Sequence, residues 1–266
     1  MVYVNYYLTM MKIAIIEQFQ YRVAYYFYTF GMIAEPLIYL VVWTTIANAG
    51  GGVAGGMLAG AFAAYYIVWT LVRTMNISFT PFGWEDRIRM GQLTSMLLKP
   101  IHPIHSDLAF FGGEKIPNII MWLPIAVVLS LIFHPIFSPS ALGIIVFFIS
   151  IWLAFIIRTI ALWLLGMITF WTTRVSAIFD LYFALELILS GRLVPLSLLP
   201  QWTQNISLFL PFQWTFNFPI ETIAGNYSIS QLLFGLGMQI VWIAAGSVAL
   251  QFFWKRAIQQ FTSVGN

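Results

Sequence analysis

Charged side chains are rare in this sequence, but four of them fall within the five-residue run Glu85-Asp86-Arg87-Ile88-Arg89. Gly91 and Leu93 follow the run, which predicts a short charged helix that stops at the glycine. Pro100 and Pro103 predict the end of the next helix. Such a compact polar projection fits a groove on a partner protein. The alternative is a solvated loop that only connects two apolar segments.

The residue types that usually hold metals or catalyse hydrolysis do not form a convincing group. The chain has three histidines and no cysteine, which excludes disulfides, thiolate catalysis and thiolate metal sites. His102 and His105 have Pro103 between them, so a helix with both rings on one face is disfavoured, and His134 lies far along the chain. The H-E-x-x-H and G-x-S-x-G motifs are absent. We expect no metal site and no catalytic residue.

The composition is that of a protein embedded in lipid. Of the 266 residues 61% are hydrophobic and 8% are charged, whereas soluble proteins carry roughly 25% charged residues. The 12 Lys and Arg with 9 Asp and Glu are too few to cover the surface of a soluble fold of this length. The net charge of +3 does not indicate a nucleic-acid partner. We predict an all-α integral membrane protein in contact with membrane lipid.

A helix that crosses the hydrocarbon needs roughly 20 mostly apolar residues, and the chain offers six such stretches. Residues 5–22 mix aromatic and charged side chains, which indicates a helix in the membrane interface or a leading turn of the first span. The glycine-rich run at 50–56 is either a flexible outer turn or a place where helices approach closely. The chain then forms one transmembrane domain, residues 1–266, with spans at about 23–47, 57–80, 116–134, 141–171, 176–191 and 230–254.

The positions of Lys and Arg predict the orientation. With both termini in the cytoplasm, most basic residues fall on the inner side, including Lys115 and Arg174, while Arg192 alone falls outside. The polar loop at 81–115 is then cytoplasmic. The predicted location is the plasma membrane, crossed several times, and in a bacterium the inner membrane.

Arg158, Asp180 and Glu186 lie within predicted spans, where an ionisable group usually faces a bundle interior or a cavity. At ~1.5 Å per residue, Arg158 lies about 20 Å and Glu186 about 15 Å from the inner end of its span. These depths allow an Arg158–Glu186 ion pair. Arg73, about 12 Å deep by the same rise, is interpreted as a snorkelling side chain.

The fifth stretch is short, and apolar sequence interrupted by prolines continues after it through residues 191–228. Irregular backbone at membrane depth is tolerated where protein or a water-filled cavity satisfies the freed backbone groups. We therefore predict a re-entrant helical segment before the last span, with an interfacial hairpin as the alternative. The candidate residues for an outer gate are Gly191, Pro195, Pro200, Trp202 and Pro211.

Three segments together resemble the type-2 ABC exporter permeases. Residues Ile88-Arg89-Met90-Gly91-Gln92-Leu93, followed by Leu97-Leu98-Lys99-Pro100, are similar to the cytoplasmic loop of that family. The run from Ser190-Gly191-Arg192 through Leu210-Pro211-Phe212 resembles its outer proline-rich segment. The end of the chain, Trp254-Lys255-Arg256 onward, resembles the terminus of a bacterial branch.

The resemblance implies a permease that works with other proteins. It implies that Glu85 to Leu93 form a coupling helix on an ABC ATPase subunit, and that a second permease, identical or homologous, completes the transporter. Because the chain lacks a G-x-x-x-x-G-K-[ST] phosphate loop, ATP and Mg would be bound by the separate ATPase subunits, and this chain carries no cofactor and is not an enzyme by itself. The rival interpretations are an ATP-independent secondary transporter or channel, and a membrane-embedded scaffold or enzyme.

Overall fold

A computed structural model describes residues 2–78, 81–172, 175–225 and 227–260. Within these ranges the chain is almost entirely helical and has one short β-hairpin. Two 3-10 turns, Met167–Phe170 and Leu196–Leu198, join longer elements. The elements are α1 Val2–Gln20, α2 Arg22–Ala49, β1 Val53–Ala54, β2 Met57–Leu58, α3 Ala59–Met75, α4 Pro81–Arg89, α5 Gln92–Leu97, α6 Ile104–Phe133, α7 Ala141–Gly166, α8 Ser176–Leu189, α9 Gln201–Leu208, α10 Pro211–Thr215, α11 Asn217–Ala224 and α12 Ile229–Gln260.

In the described part of the chain, four helical segments are long and apolar enough to cross a membrane. They are Val23–Ala49, Ile104–Phe133, Ala141–Phe170 and Ile229–Gln260. The class predicted from the sequence, an all-α membrane protein, fits this result. The two other predicted spans correspond to α3, with 17 residues, and α8, with 14. Both are shorter than a full crossing of roughly 20 residues, so the count of six stays a prediction.

Helix α3 lies at the centre of the bundle and is buried along most of its length. It packs against α2, α6 and α11, and Tyr65 and Trp69 belong to the main hydrophobic core. Its start is set by the glycine-rich run, which forms a tight hairpin in which Val53 pairs with Leu58. Gly51 and Gly52 take positive φ angles of 78° and 95° there, a conformation that glycine adopts without steric cost.

Helix α6 begins at Ile104, twelve residues before the start predicted from the sequence. Residues 104–115, assigned to the cytoplasmic loop above, are therefore its first turns. Helix α1 packs along them, with Gln18 donating to Glu114 at 2.7 Å. Lys115 is fully buried and donates to the Ile77 carbonyl at 2.6 Å. The prediction that Lys115 faces the cytoplasm is therefore wrong.

Helix α7 starts at a conventional cap and connects the two ends of the bundle. The Ser140 hydroxyl accepts from the Gly143 backbone N–H at 3.0 Å, which satisfies one of the donors left open at a helix start. Further along, α7 packs on α11 and α12. Its C-terminal turns join a second core cluster with α4, α8 and α12. This cluster fixes the polar segment α4–α5 to the bundle.

Candidate functional site

Arg158 on α7 and Glu186 on α8 form a bidentate ion pair inside the bundle. Arg158 donates from Nε to Glu186 Oε1 at 2.9 Å and from Nη2 to Oε2 at 3.0 Å. Glu186 is fully buried. Their predicted depths had placed the two residues within reach of each other, and the structure joins them in the geometry that matches a planar guanidinium to a carboxylate.

The pair belongs to a longer chain of alternating charges. Arg192 donates from Nη1 to Glu186 Oε2 at 2.9 Å and from Nη2 to Glu35 Oε1 at 3.1 Å. Glu35, in the middle of α2, also contacts Arg73 Nη1 at 2.6 Å. The order Arg73, Glu35, Arg192, Glu186, Arg158 places opposite charges next to each other throughout. Arg192 therefore points into the bundle and not to the outer solvent, and Arg73 has a partner and does not simply snorkel.

A cavity of about 580 Å³ lies beside this chain of charges. It reaches from Ser78 and Ser176, at the ends of α3 and α8 nearest α4, to Arg192 beyond the other end of α8. Glu35 lies thirteen residues into α2, about 20 Å along the axis, so the charges are near mid-depth. The lining residues are Tyr28, Met32, Glu35, Arg73, Ile77, Ser78, Arg158, Leu162, Ser176, Asp180, Phe183, Ala184, Leu187, Arg192 and Phe216.

Aromatic rings surround the two inner guanidinium groups. Arg192 lies over Trp69 and Phe216, at 5.9 and 5.2 Å from the ring centroids. Arg158 lies over Phe216 and Phe183 at 5.6 and 5.8 Å. Cation–π contacts of this length stabilise a guanidinium where water is scarce. Within the described ranges no three His, Cys, Asp or Glu side chains are placed to hold a metal ion.

The predicted coupling segment is joined to the bundle by buried polar contacts. Arg87 on α4 makes two 2.9 Å bonds to Asp107 in the first turn of α6. Trp163 on α7 donates to the same carboxylate at 2.9 Å and stacks edge-on against Trp84, with 4.6 Å between centroids. Glu85 accepts from the Val175 backbone N–H at 3.1 Å, just before α8. Helix α4 is thus attached to α6 and to α7 and α8, two of the helices that line the cavity.

Only part of the predicted Glu85–Leu93 surface is available to a partner. Arg87 and Leu93 are buried, so these two side chains do not lie on the exposed side of the segment. Asp86 and Ile88 are half-buried, and the side chain of Arg89 lies outside the described residues. Gly91 has φ +69°, which ends α4 and turns the chain into α5 as its position predicted. The exposed side combines two apolar side chains, Met90 at 63% and Leu98 at 83% exposed, with the exposed polar residues Gln92, Ser95 and Lys99.

The candidate gate residues are spread along a broken segment after α8. Gly191 has φ +84°, and its carbonyl accepts from the Tyr65 hydroxyl at 2.8 Å. Pro195 is buried, whereas Pro200 and Trp202 are exposed and lie at the start of α9. Pro211 begins α10, and α10 and α11 pack against α7. The segment after α8 is a series of short helices, and the outer gate stays a prediction.

The histidines have separate structural roles. The His102 Nδ1 atom accepts from the Ile104 backbone N–H at 3.2 Å, and its ring lies 4.4 Å from that of Trp254. Burial, reinforced by the neighbouring His105, lowers the pKa of His102 to about 4, so the ring is neutral at pH 7. His105 bonds to the Tyr7 hydroxyl at 2.8 Å, and His134 ends α6 at the opposite end of that helix.

A comparison with protein-family models matches residues 33–265 to a family described as ABC-2 family transporter protein. The match covers most of the chain. The chain belongs to the ABC-2 transporter family. A search of curated proteins finds no match. Members of this family are membrane-embedded transport subunits and not themselves catalytic, and the family implies association with ABC ATPase subunits.

The ABC-2 match begins within α2 and includes the α4–α5 segment and the residues that line the cavity, apart from Tyr28 and Met32. Sequence reasoning missed three residues on which these sites depend. Glu35 could have been found, because it is a carboxylate in the middle of a predicted span. No comparable sequence signal marks Asp107 or Trp84, because their roles arise only when α4, α6 and α7 pack together.

Proposed function

We propose that this ABC-2 protein is the permease subunit of an ATP-driven exporter. Separate ATPase subunits bind ATP and Mg and dock on the α4–α5 segment, and the charged cavity forms part of the translocation path. A second permease, identical or homologous, completes the transporter. The chain lies in the plasma membrane with both termini in the cytoplasm, and the segment after α8 contributes the outer gate.

The observation that carries this proposal is the attachment of α4 to the bundle through Trp84, Glu85 and Arg87. A surface loop that only connects two helices does not require a buried bidentate ion pair and a fully buried tryptophan. Because α4 holds the first turn of α6, the end of α7 and the start of α8, a force applied to it acts on all three. This is the property required of an element that couples ATPase movement to helix packing.

The exposed side of the same segment supplies a surface for the ATPase. Met90 and Leu98 present apolar side chains, and the adjacent Lys99 adds a positive charge. An apolar centre with a polar rim is the usual anatomy of a protein interface. We infer that docking uses this side, while Glu85 and Arg87 act inside the protein to transmit the movement.

The test is co-purification of the tagged chain with an ATPase subunit and measurement of ATP turnover. We expect Leu98→Asp to reduce capture of the ATPase at least tenfold, since a buried charge in an interface is costly, while Leu98→Met leaves capture unchanged. Arg87→Gln should keep the ATPase bound but lose the dependence of its turnover on the permease. Active transport by a preparation without any nucleotide-binding subunit would contradict the proposal.

One observation favours a second candidate, an ion-coupled secondary transporter. Glu35, Glu186 and Asp180 all lie at or beside one cavity, and a cluster of carboxylates near mid-membrane is typical of ion-coupling sites. Arginines neutralise Glu35 and Glu186, which weakens this interpretation. Transport that is driven by an ion gradient and insensitive to ATP depletion would favour the second candidate over the first.

A further inference from the structure

The charged cavity contains more arginine than its ion pairs use. Three guanidinium groups, from Arg73, Arg158 and Arg192, share two carboxylates, Glu35 and Glu186. The Nε–H groups of Arg73 and Arg192 are buried and have no hydrogen-bond partner among the described residues. Arg192 is only 8% exposed and lines the cavity. A buried donor without an acceptor is costly, so this end of the cavity favours an added anionic oxygen.

Glu35 occupies the place that such an anion would take. It is the more exposed of the two carboxylates, with 31% of its side chain accessible against none for Glu186. Arg73 and Arg192 each hold it through one nitrogen, at 2.6 and 3.1 Å. Glu186 is held more firmly, by Arg158 and Arg192 together. An incoming carboxylate therefore competes with Glu35 and leaves the Arg158–Glu186 pair intact.

The rest of the lining suits an apolar body attached to the anion. Met32, Leu162, Phe183 and Leu187 line the cavity beside the arginines. Its volume of about 580 Å³ falls within the range of roughly 300–1,000 Å³ found for sites of drug-sized ligands. Asp180 lies on the same lining and makes no ion pair with any described residue. Its negative charge offsets the excess arginine and disfavours a ligand with more than one negative charge.

We infer that this cavity binds an amphiphile with a single anionic headgroup, whose oxygens contact Arg73 and Arg192 and whose apolar part lies against α2, α7 and α8. The identification of this amphiphile as the exported cargo rests on the proposed function. The same chemistry also fits an anionic lipid of the membrane. The binding site itself requires neither ATP nor an ATPase subunit.

The experiment uses the full-length chain in phosphatidylcholine nanodiscs and dansylaminoundecanoic acid, an apolar probe with one carboxylate. Binding is followed by energy transfer from the protein's tryptophans, with empty nanodiscs as background. We expect saturable binding that decanoate reverses and that decanol and decyltrimethylammonium do not. Arg73→Gln should weaken binding about tenfold, because a charge-assisted bond is lost. Glu35→Gln should strengthen it severalfold, because the competing carboxylate is gone.

The two variants are expected to change probe affinity in opposite directions, and this difference distinguishes a binding site from a merely structural network. If Glu35→Gln weakens binding as much as Arg73→Gln does, the charges only hold the helices together and the inference is wrong. Lys12→Gln, an exposed change on α1, is the matched control and should have no effect. A response to Arg256→Gln alone would place the probe in the groove between α7 and α12 and would also overturn the inference.

Two further measurements are needed. One distinguishes a membrane lipid from another amphiphile as the ligand, and the other distinguishes failure of the ligand assignment from failure of the proposed function. Addition of phosphatidylglycerol to the nanodiscs should displace the probe if membrane lipid is the resident ligand, and should leave it bound if the site selects a different amphiphile. Stimulation of the ATPase subunit is measured on the same variants. If the natural protein stimulates the ATPase subunit but does not bind the probe, the ligand assignment alone is refuted. If the natural protein binds the probe as expected but no ATPase subunit co-purifies with it or is stimulated by it, the proposed function alone is refuted.

Discussion

The ion pair between Arg158 and Glu186 gives the sharpest test of how the bundle is held together. Glu186 is fully buried and accepts from Arg158 and Arg192. If Glu186→Leu removes the carboxylate, Arg192 keeps Glu35, whereas Arg158 keeps only the Asn76 carbonyl. An uncompensated buried charge of this kind costs about 3–5 kcal/mol. Arg158→Met should cost a similar amount, because it leaves Glu186 short of a donor.

The double variant Arg158→Met with Glu186→Leu should be more stable than either single variant. Apolar side chains of similar volume can replace a buried ion pair with little loss, so we expect a total cost below about 2 kcal/mol. In a domain of this size 1 kcal/mol corresponds to about 2–4 °C in melting temperature. Each single variant should then melt roughly 6–20 °C below the natural protein, and the double variant no more than about 8 °C below it.

The measurement is the fraction of monodisperse protein left after heating in detergent, followed by size-exclusion chromatography. Asp180→Leu on the same helix is the matched control, since Asp180 is exposed and makes no ion pair with any described residue. It should change stability by no more than about 0.5 kcal/mol. If the double variant loses as much stability as the two single losses added together, the residues act independently and the ion-pair reasoning is refuted.

Two further predictions concern the ends of the bundle. Gly191→Ala should cost about 2–4 kcal/mol, because φ is +84° and the new Cβ would lie 2.7 Å from the Tyr65 hydroxyl; Gly237→Ala, where nothing lies within 4 Å, should be neutral or stabilising in the same melting assay. The pKa of His102 is lowered to about 4 by burial. The buried neutral ring therefore contributes fully to the stability of the fold above about pH 6.5, and this stabilisation is lost as the pH falls toward 4. We expect a loss of about 1–2 kcal/mol over that window, reduced by partial exposure of the ring, and His102→Gln should abolish this part of the pH dependence.

The membrane helices were predictable because long apolar runs have few alternatives in a chain with so few charges. The start of α6 was not. Its first turns contain Glu114 and Lys115, which appear in sequence as the polar end of a loop. In the fold, Gln18 on α1 binds the carboxylate and the Ile77 carbonyl accepts from the lysine. Partners from distant parts of the chain make a polar stretch compatible with a buried helix, and a single sequence contains no record of them.

The candidate sites were predictable to different degrees for the same reason. The Arg158–Glu186 pair followed from helix geometry alone, because two charges at similar depth in neighbouring spans must avoid lipid. The role of Arg87 was harder to predict. Its neighbours in sequence indicate a solvated charged helix, and only the approach of Asp107 from α6 turns the side chain inward. Local charge density therefore drew attention to the segment but did not reveal that Arg87 is buried against α6.

The α4–α5 segment and the cavity are connected through α7 and α8, and under the proposed function a force on α4 would reach the cavity by this connection. Trp163, held against Trp84 and Asp107, lies five residues beyond Arg158 on α7, about 7.5 Å along the axis. Glu186 lies on α8, whose start is fixed to α4 through Val175 and Glu85. Both members of the central ion pair are thus carried by helices that α4 holds directly. Because charges in a low-dielectric interior interact steeply with distance, a small relative shift of α7 and α8 changes the energy of the pair substantially. A movement of α4 that separates these helices would break the Arg158–Glu186 pair and release Arg158 toward the cavity.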